Sequence, residues 1–409
     1  MSPSPPPAPV PHRSQRQRER GIVLAIVLVM IFALITAVYA FQRRAIIDTT
    51  ISRNRIDAAE ADTLAKGGLR IAEALVAVVR AKQLQGANGG AAPLDDTAPP
   101  TLALPGGGSA AGSAALDALW QGIGGVPIEL EGGRMLRIEI EDEGAKLNLN
   151  ALVAPEDPGE QQEGQPLDAE PEPERDEGDG LSEDDEAVEY LATALEAIVD
   201  GMEGGAEDRS YDTDRIARNI LDFMDGDSTA IDGRSEDEYY RRQDPPYRAW
   251  NQPLVSVDQL GLVEDVDPAL LEELRHYVTV HPIGGAAGIN LNRAPPWVLK
   301  LVYSGTSGNR RLIDAKLAED LVRLRDKGKL VCDDQGGDPR CVTRGDVGNG
   351  DLGNGSVYPE ASLPAQPTVF RVVATAQVRD ITRRFEAIYD TRPVTGPQLL
   401  SWRRLRGND

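Results

Sequence analysis

At 409 residues the chain is roughly three times a common domain size, so more than one folding unit is expected. Its 66 acids against 43 bases give a formal charge of -23, which speaks against binding a phosphate backbone. With 3 His and 2 Cys, the usual zinc, haem and iron–sulfur sites are nearly out of reach.

Residues 1–12 are rich in Pro and Ser and carry no apolar period, the composition of a disordered tail. Arg13, Arg16, Arg18 and Arg20 then lead to Gly21. From Ile22 to Phe41 the chain is apolar apart from Thr36 and Tyr39. Twenty helical residues span about 30 Å, the hydrocarbon thickness of a bilayer. The arginines ahead of the span keep the amino end cytoplasmic, so everything after Arg43 is expected on the far side of the membrane.

A cleavable secretory signal would need small residues after a shorter apolar core, and none stands near Val38 to Arg43. A plain signal anchor is a second reading. Arg20-Gly21 abutting the span resembles the type IV prepilin leader. That resemblance implies that residues 1–21 are a cytoplasmic leader, cut by a prepilin peptidase between Gly21 and Ile22. It also implies methylation of the new amino end. Most such leaders carry Glu five residues after the cut; here that residue is Ile26. A carboxylate inside a membrane is costly and normally pairs with a neighbouring subunit. Its absence suits a subunit with nothing above it.

Past the span, Ile47, Ile51, Ile56, Leu64, Leu69, Ile71, Leu75 and Val79 recur at near-helical spacing. They predict that the transmembrane segment, 22–41, continues as an amphipathic helix over 42–82. Residues 86–113, rich in Gly, Ala and Pro, read as loop. Strands are predicted at Val126 to Glu131 and Met135 to Asp142, flanking Gly132-Gly133. Two more lie near the other end, Phe370 to Val378 and Ile381 to Asp390. The expected fold is therefore α+β. A long helix packs on a small antiparallel sheet, built from 126–150 and 366–392, and a large all-α domain is inserted into it.

Residues 156–186 hold fifteen acids and one base, Arg175, and read as an acidic disordered linker. From 187 to 330 the apolar spacing is helical, giving the inserted domain. Its edges carry an echo, Leu147-Asn148-Leu149-Asn150 and Ile289-Asn290-Leu291-Asn292, whose asparagines read as turn and cap residues. The stretch from Asn290 to Leu299 resembles helix-hairpin-helix modules, but in so acidic a chain no nucleic-acid partner is expected.

One loop has ligand-like spacing. Counting from Asp225, acids fall at the first, third (Asp227) and twelfth (Glu236) places, the pattern of a twelve-residue calcium loop. Ala230 stands where an EF-hand needs Gly, so the backbone path must differ. Asp222, Asp237 and Glu238 are further candidates. A solvated acidic loop is the plainer reading of the same residues. Cys332 and Cys341, inside a Gly/Asp-rich loop over 331–365, are expected to form a disulfide in an oxidising compartment. No Ser, His and Asp set has catalytic spacing, so no enzyme is expected.

In order, the sequence carries the leader, the Glu-less span and Leu147-Asn148-Leu149-Asn150. Asp222-Phe223-Met224-Asp225-Gly226-Asp227, Glu236-Asp237-Glu238-Tyr239-Tyr240, Asn251-Gln252-Pro253-Leu254 and Ile289-Asn290-Leu291-Asn292 follow. This series resembles the type II secretion minor pseudopilin K, the GspK family. The resemblance implies a pilin-like fold at the pseudopilus tip and help in starting assembly for export of folded proteins. It further implies calcium in the α-domain, with the I and J subunits, H through them, and the inner-membrane assembly platform as partners. A membrane-anchored periplasmic ligand-binding module, or a minor pilin of a type IV pilus, are the alternatives.

Overall fold

The computed structural model describes residues 15–87, 125–153, 183–202, 210–284 except 227 and 232, 288–305, 310–333, 339–363 except 351 and 353–355, and 365–406. The first element is a single helix, α1, Gln15–Ala87, of 73 residues. It is the one helix among the described residues long and apolar enough to cross a membrane, and its apolar side chains from Val23 to Phe41 are exposed. It continues five residues beyond the predicted end at Lys82.

Farther along, α1 presents Ala61, Ala65, Leu69, Ala72, Val76 and Val79 to the protein, a three-and-four spacing that keeps one stripe buried. That stripe lies on a five-stranded antiparallel sheet ordered β1-β2-β10-β11-β12. The strands are β1 (Ile128–Leu130), β2 (Arg134–Asp142), β10 (Val369–Val378), β11 (Ile381–Asp390) and β12 (Gln398–Leu405). Alternation puts Leu136 and Ile138, Phe370, Val372, Ala374 and Ala376, and Phe385, Ala387 and Tyr389 on the helix side. At the amino-terminal end of this stripe, acids of the helix meet arginines of the sheet. Arg379 grips Asp57 with one nitrogen (2.6 and 2.8 Å), Arg134 reaches Glu60 (2.9 Å) and Arg383 reaches Asp62 (3.2 Å).

Sequence reading stopped this sheet at residue 392, whereas β12 adds a fifth strand. Seven of its eight residues are exposed, so it lacks the in-out alternation that marks the other strands.

The insertion leaves the sheet after Asp142 and returns at Val369, since those two ends are neighbours: Phe370 pairs with Asp142. After β3 (Leu147–Asn148) come α2 (Glu183–Gly201), α3 (Thr213–Met224), α4 (Asp237–Tyr240), a 3-10 turn (Val257–Leu262), α5 (Pro268–Tyr277) and β4 (Val278–Thr279). Then follow α6 (Pro296–Leu299), β5 (Tyr303–Gly305), β6 (Arg311–Leu312), α7 (Ala315–Asp326), β7 (Leu330–Cys332), β8 (Cys341–Thr343) and β9 (Ser356–Tyr358). The helices dominate, but short strand pairs join them, and these pairs of two or three residues are too brief to show a period in sequence. Residues 156–182 of the acidic run lie outside the described residues. Glu183 to Glu186 are not linker but the first turn of α2.

The insertion has its own core, separate from that under α1. Leu191, Leu195, Ile198, Ile216, Ile220 and Leu270 belong to it. Tyr190 sits edge-on to Tyr303 (5.2 Å) and Tyr358 (5.1 Å) and donates to the Leu301 carbonyl. Each fully buried side chain of Leu or Ile size contributes about 1.5–3 kcal/mol.

Candidate functional site: the acidic loop after α3

The echoed asparagines organise the insertion. In the first copy, Asn148 Oδ1 accepts from the Asn150 N–H, and the Asn150 amide bonds the Leu254 carbonyl, the Leu254 N–H and the Val280 carbonyl at 2.8–2.9 Å. In the second, Asn290 Oδ1 accepts from the Asn292 N–H, and Asn292 bonds the Val331 N–H and carbonyl. Asn290 also donates to Asp142 and to the Ala365 carbonyl. Each motif makes a tight turn and uses a buried amide to satisfy backbone on another segment. Asn150 thereby fixes Leu254, four residues past Trp250, and with it the segment that closes the acidic loop.

That loop starts where α3 stops. Asp212 caps the helix start by accepting from Arg215 N–H, and Asp225 ends it, its N–H bonding the Leu221 carbonyl. Thr229 and Ser235 then bridge, Ala230 N–H reaches the Arg234 carbonyl, and Gly233 turns with φ of +80°. The chain thus folds back as a small hairpin, a different path from an EF-hand. The turn is reversed at Gly233, the ninth place, because Ala230 cannot supply glycine's freedom at the sixth.

Among the candidates, Asp222 and Glu236 are buried, and Asp225 Oδ1 and Glu236 Oε1 are enclosed from solvent. Asp222 Oδ1 accepts from the Ile231 N–H at 3.0 Å. Asn251, which spacing did not single out, joins them. Its N–H bonds the Phe223 carbonyl, its amide donates to Glu236 Oε2 (2.8 Å), and its Oδ1 is enclosed as well. Asn251 has φ of +47°, the left-handed conformation that Asn tolerates better than most residues. Phe223 stacks edge-on to Tyr240 and seats α4 against the end of α3.

Asp237 and Glu238 are not brought into this group. Asp237 pairs with Arg241 (2.7 Å) and accepts from the Ala249 N–H, and Glu238 pairs with Arg242. Such i,i+4 pairs belong to the exposed side of a helix. Asp227 lies outside the described residues. Among those described, no group of three or more His, Cys, Asp or Glu could hold a metal. The donors here are all oxygen, two carboxylates and an amide with Asp222 behind them, which suits a hard cation such as calcium and not zinc.

Elsewhere, Cys332 and Cys341 are joined by a disulfide with Cα atoms 5.5 Å apart, across the parallel pair β7–β8. Asp333 holds Arg344 and the Leu363 N–H. Gly21 and Ile22 fall within α1. His276 lies in the last turn of α5, where a helix favours a cation.

Residues 145–283, which include this loop, match the family described as type II secretion system (T2SS), protein K. A type II secretion system protein K of Aeromonas hydrophila is 28% identical over 236 residues, 56% of this chain and 64% of that one. One from Klebsiella pneumoniae is 34% identical over 97 residues, 23% of this chain and 28% of that one. The chain therefore spans less than two thirds of these relatives. A chain in the crystal structure of the GspK-GspI-GspJ complex from the enterotoxigenic Escherichia coli Type 2 Secretion System aligns with a TM-score of 0.42 and 17% identity. That alignment covers 73% of this chain and 94% of that one. Within this chain, it is thus the segment 145–283 that carries the likeness to type II secretion system protein K.

Proposed function

We propose that the chain is a minor pseudopilin of the type II secretion system, held in the inner membrane by α1 with its bulk in the periplasm. The observation that carries this reading is the protein K domain match over 145–283. An apolar helix that becomes the spine of a sheet domain suits a subunit built around a shared helical core. Ile26 in place of a membrane carboxylate suits the tip, where no subunit above offers a partner. The reading includes I and J subunits as neighbours, help in starting assembly, and processing by the prepilin peptidase.

The same reading gives the loop after α3 a calcium ion, held by Asp225, Glu236 and Asn251 with Asp227 as the fourth donor. The ion would replace repulsion between neighbouring carboxylates with attraction, fixing the loop and the α3–α4 junction behind it.

Processing provides the test, because alternative membrane anchors keep their amino ends or lose the span. N-terminal sequencing of the chain extracted from membranes of cells with a prepilin peptidase should read from Ile22. A chain beginning at Met1, or a Gly21→Lys variant that matures normally, contradicts the proposal.

A further inference from the structure

Among the described residues, two sets of contacts tie the insertion to the sheet. One sits where the chain crosses between them. There Asn290 N–H donates to the Gly144 carbonyl (2.8 Å), its amide to Asp142 (3.1 Å), and Arg392 donates to the carbonyls of Ile283 and Gly284. These partners are backbone or buried carboxylate.

The other set lies about 13 Å down β11, at Glu386 rather than Asp390. Arg403 of β12 spans Glu386 (Nε to Oε1, 2.7 Å) and Asp258 of the insertion (Nη1 to Oδ2, 2.9 Å). The other oxygen of Asp258 accepts from Arg275 at 2.7 Å, and Arg275 also holds Glu272. On the sheet, Glu386 takes Arg371 on its second oxygen (2.5 Å), and Arg371 reaches Glu141 (3.1 Å). Charges thus alternate from β2 to α5 without a break. Glu386 is buried; burial pushes its pKa up, yet Arg371 and Arg403 together pull it below the ordinary value. Asp258 and Arg403, by contrast, are close to half exposed.

We propose that Asp258 and Arg403 form an ionic latch that closes the insertion against β12, with the crossing at Asp142 and Val369 as its hinge. The hinge is built from directed hydrogen bonds, to backbone carbonyls and to the buried Asp142, which salt weakens less than a pair of exposed charges. The latch is one solvent-facing charge pair, which salt screens and a competing charged surface can displace.

Nitroxide labels at Glu196→Cys and Thr382→Cys, both exposed, read the insertion-to-sheet distance in the full chain in detergent. The native cysteines are bound to each other and take no label. At low salt the distance distribution should be narrow. It should broaden toward longer distances at about 1 M salt, where the screening length is about 3 Å. Asp258→Asn and Arg403→Gln should each give the broad distribution at low salt, with no further response to salt, and the double variant should be no broader than either. The salt titration of the otherwise unaltered labelled chain needs no change in the latch. An unmoved distribution there, or variants as narrow as the parent, overturns the proposal.

Discussion

Gly67 and Gly68, adjacent on α1, face opposite surroundings. A Cβ on Gly67 would meet nothing within 4 Å, whereas one on Gly68 would stand 2.9 Å from Leu136 Cδ1 and 3.1 Å from Ala374 Cβ. Helix and sheet come this close because Gly68 and Ala374 are small. Gly67→Ala should stabilise the folded chain by about 1 kcal/mol through helix propensity. Gly68→Val should cost about 1–3 kcal/mol by overpacking. Denaturant melts in detergent check both, and the reverse order would show that the helix does not seat on Ala374. In sequence the two glycines read alike, as one weak spot. Their difference comes from two strands, one about seventy residues away and the other about three hundred.

Asp142 closes the hinge and is buried; desolvation outweighs Arg293, the Gly144 N–H and Asn290, and raises its pKa from 3.8 to about 6. The folded form therefore binds a proton more tightly than the unfolded chain. Its contribution to stability is fully present below about pH 4 and is lost as pH rises through 6, up to about 3 kcal/mol. Asp142→Asn, which mimics the protonated acid, should be the more stable of the two at pH 7 and lose that advantage toward pH 4. A parent-to-variant difference that stays constant from pH 7 to 4 would show that Asp142 titrates as an ordinary aspartate.

Elements differ in how much of themselves they show in sequence. Long ones with a single exposed side, such as α1, β2, β10 and β11, carry their period openly, and β11 ends where expected. β12 hides because it is an edge strand with solvent on nearly every residue. The acidic loop after α3 is half legible. Asp225 and Glu236 stand at ligand spacing, but Asn251 reaches Glu236 only because the chain folds back and its N–H finds Phe223. Asp237 and Glu238 mislead because spacing cannot show that Arg241 and Arg242, one turn on, have taken them. If the loop holds calcium, saturating ion should raise the melting point of the soluble part, by about 2.7 kcal/mol of stability at a hundredfold excess over the dissociation constant. Asp227→Ala and Glu236→Ala should abolish that response. Equal melting of metal-stripped protein with calcium and with chelator removes the ion from the proposal, whereas an unchanged response in both variants relocates it.

At the scale of the whole molecule, the described residues form a spine with two cores, one beneath α1 and one inside the insertion. Purified soluble parts of this chain and of the I and J subunits should co-elute as one three-part complex at micromolar concentration. Separate elution of this chain would count against its place beside them. The two cores also impose an order of events. β10 is the central strand of the sheet, and its partner β2 lies more than two hundred residues earlier, with the entire insertion between them. Contacts so distant in sequence are slow to form, because the intervening loop must close first. As the chain emerges amino end first, the stripe of α1 that carries Leu69, Val76 and Val79 must wait for β10 to complete its cover. An insertion that folds on its own core shortens that wait, since Asn290 draws Asp142 toward the point where Val369 begins. The middle of the protein thus acts as the splint that lets its two distant ends find each other.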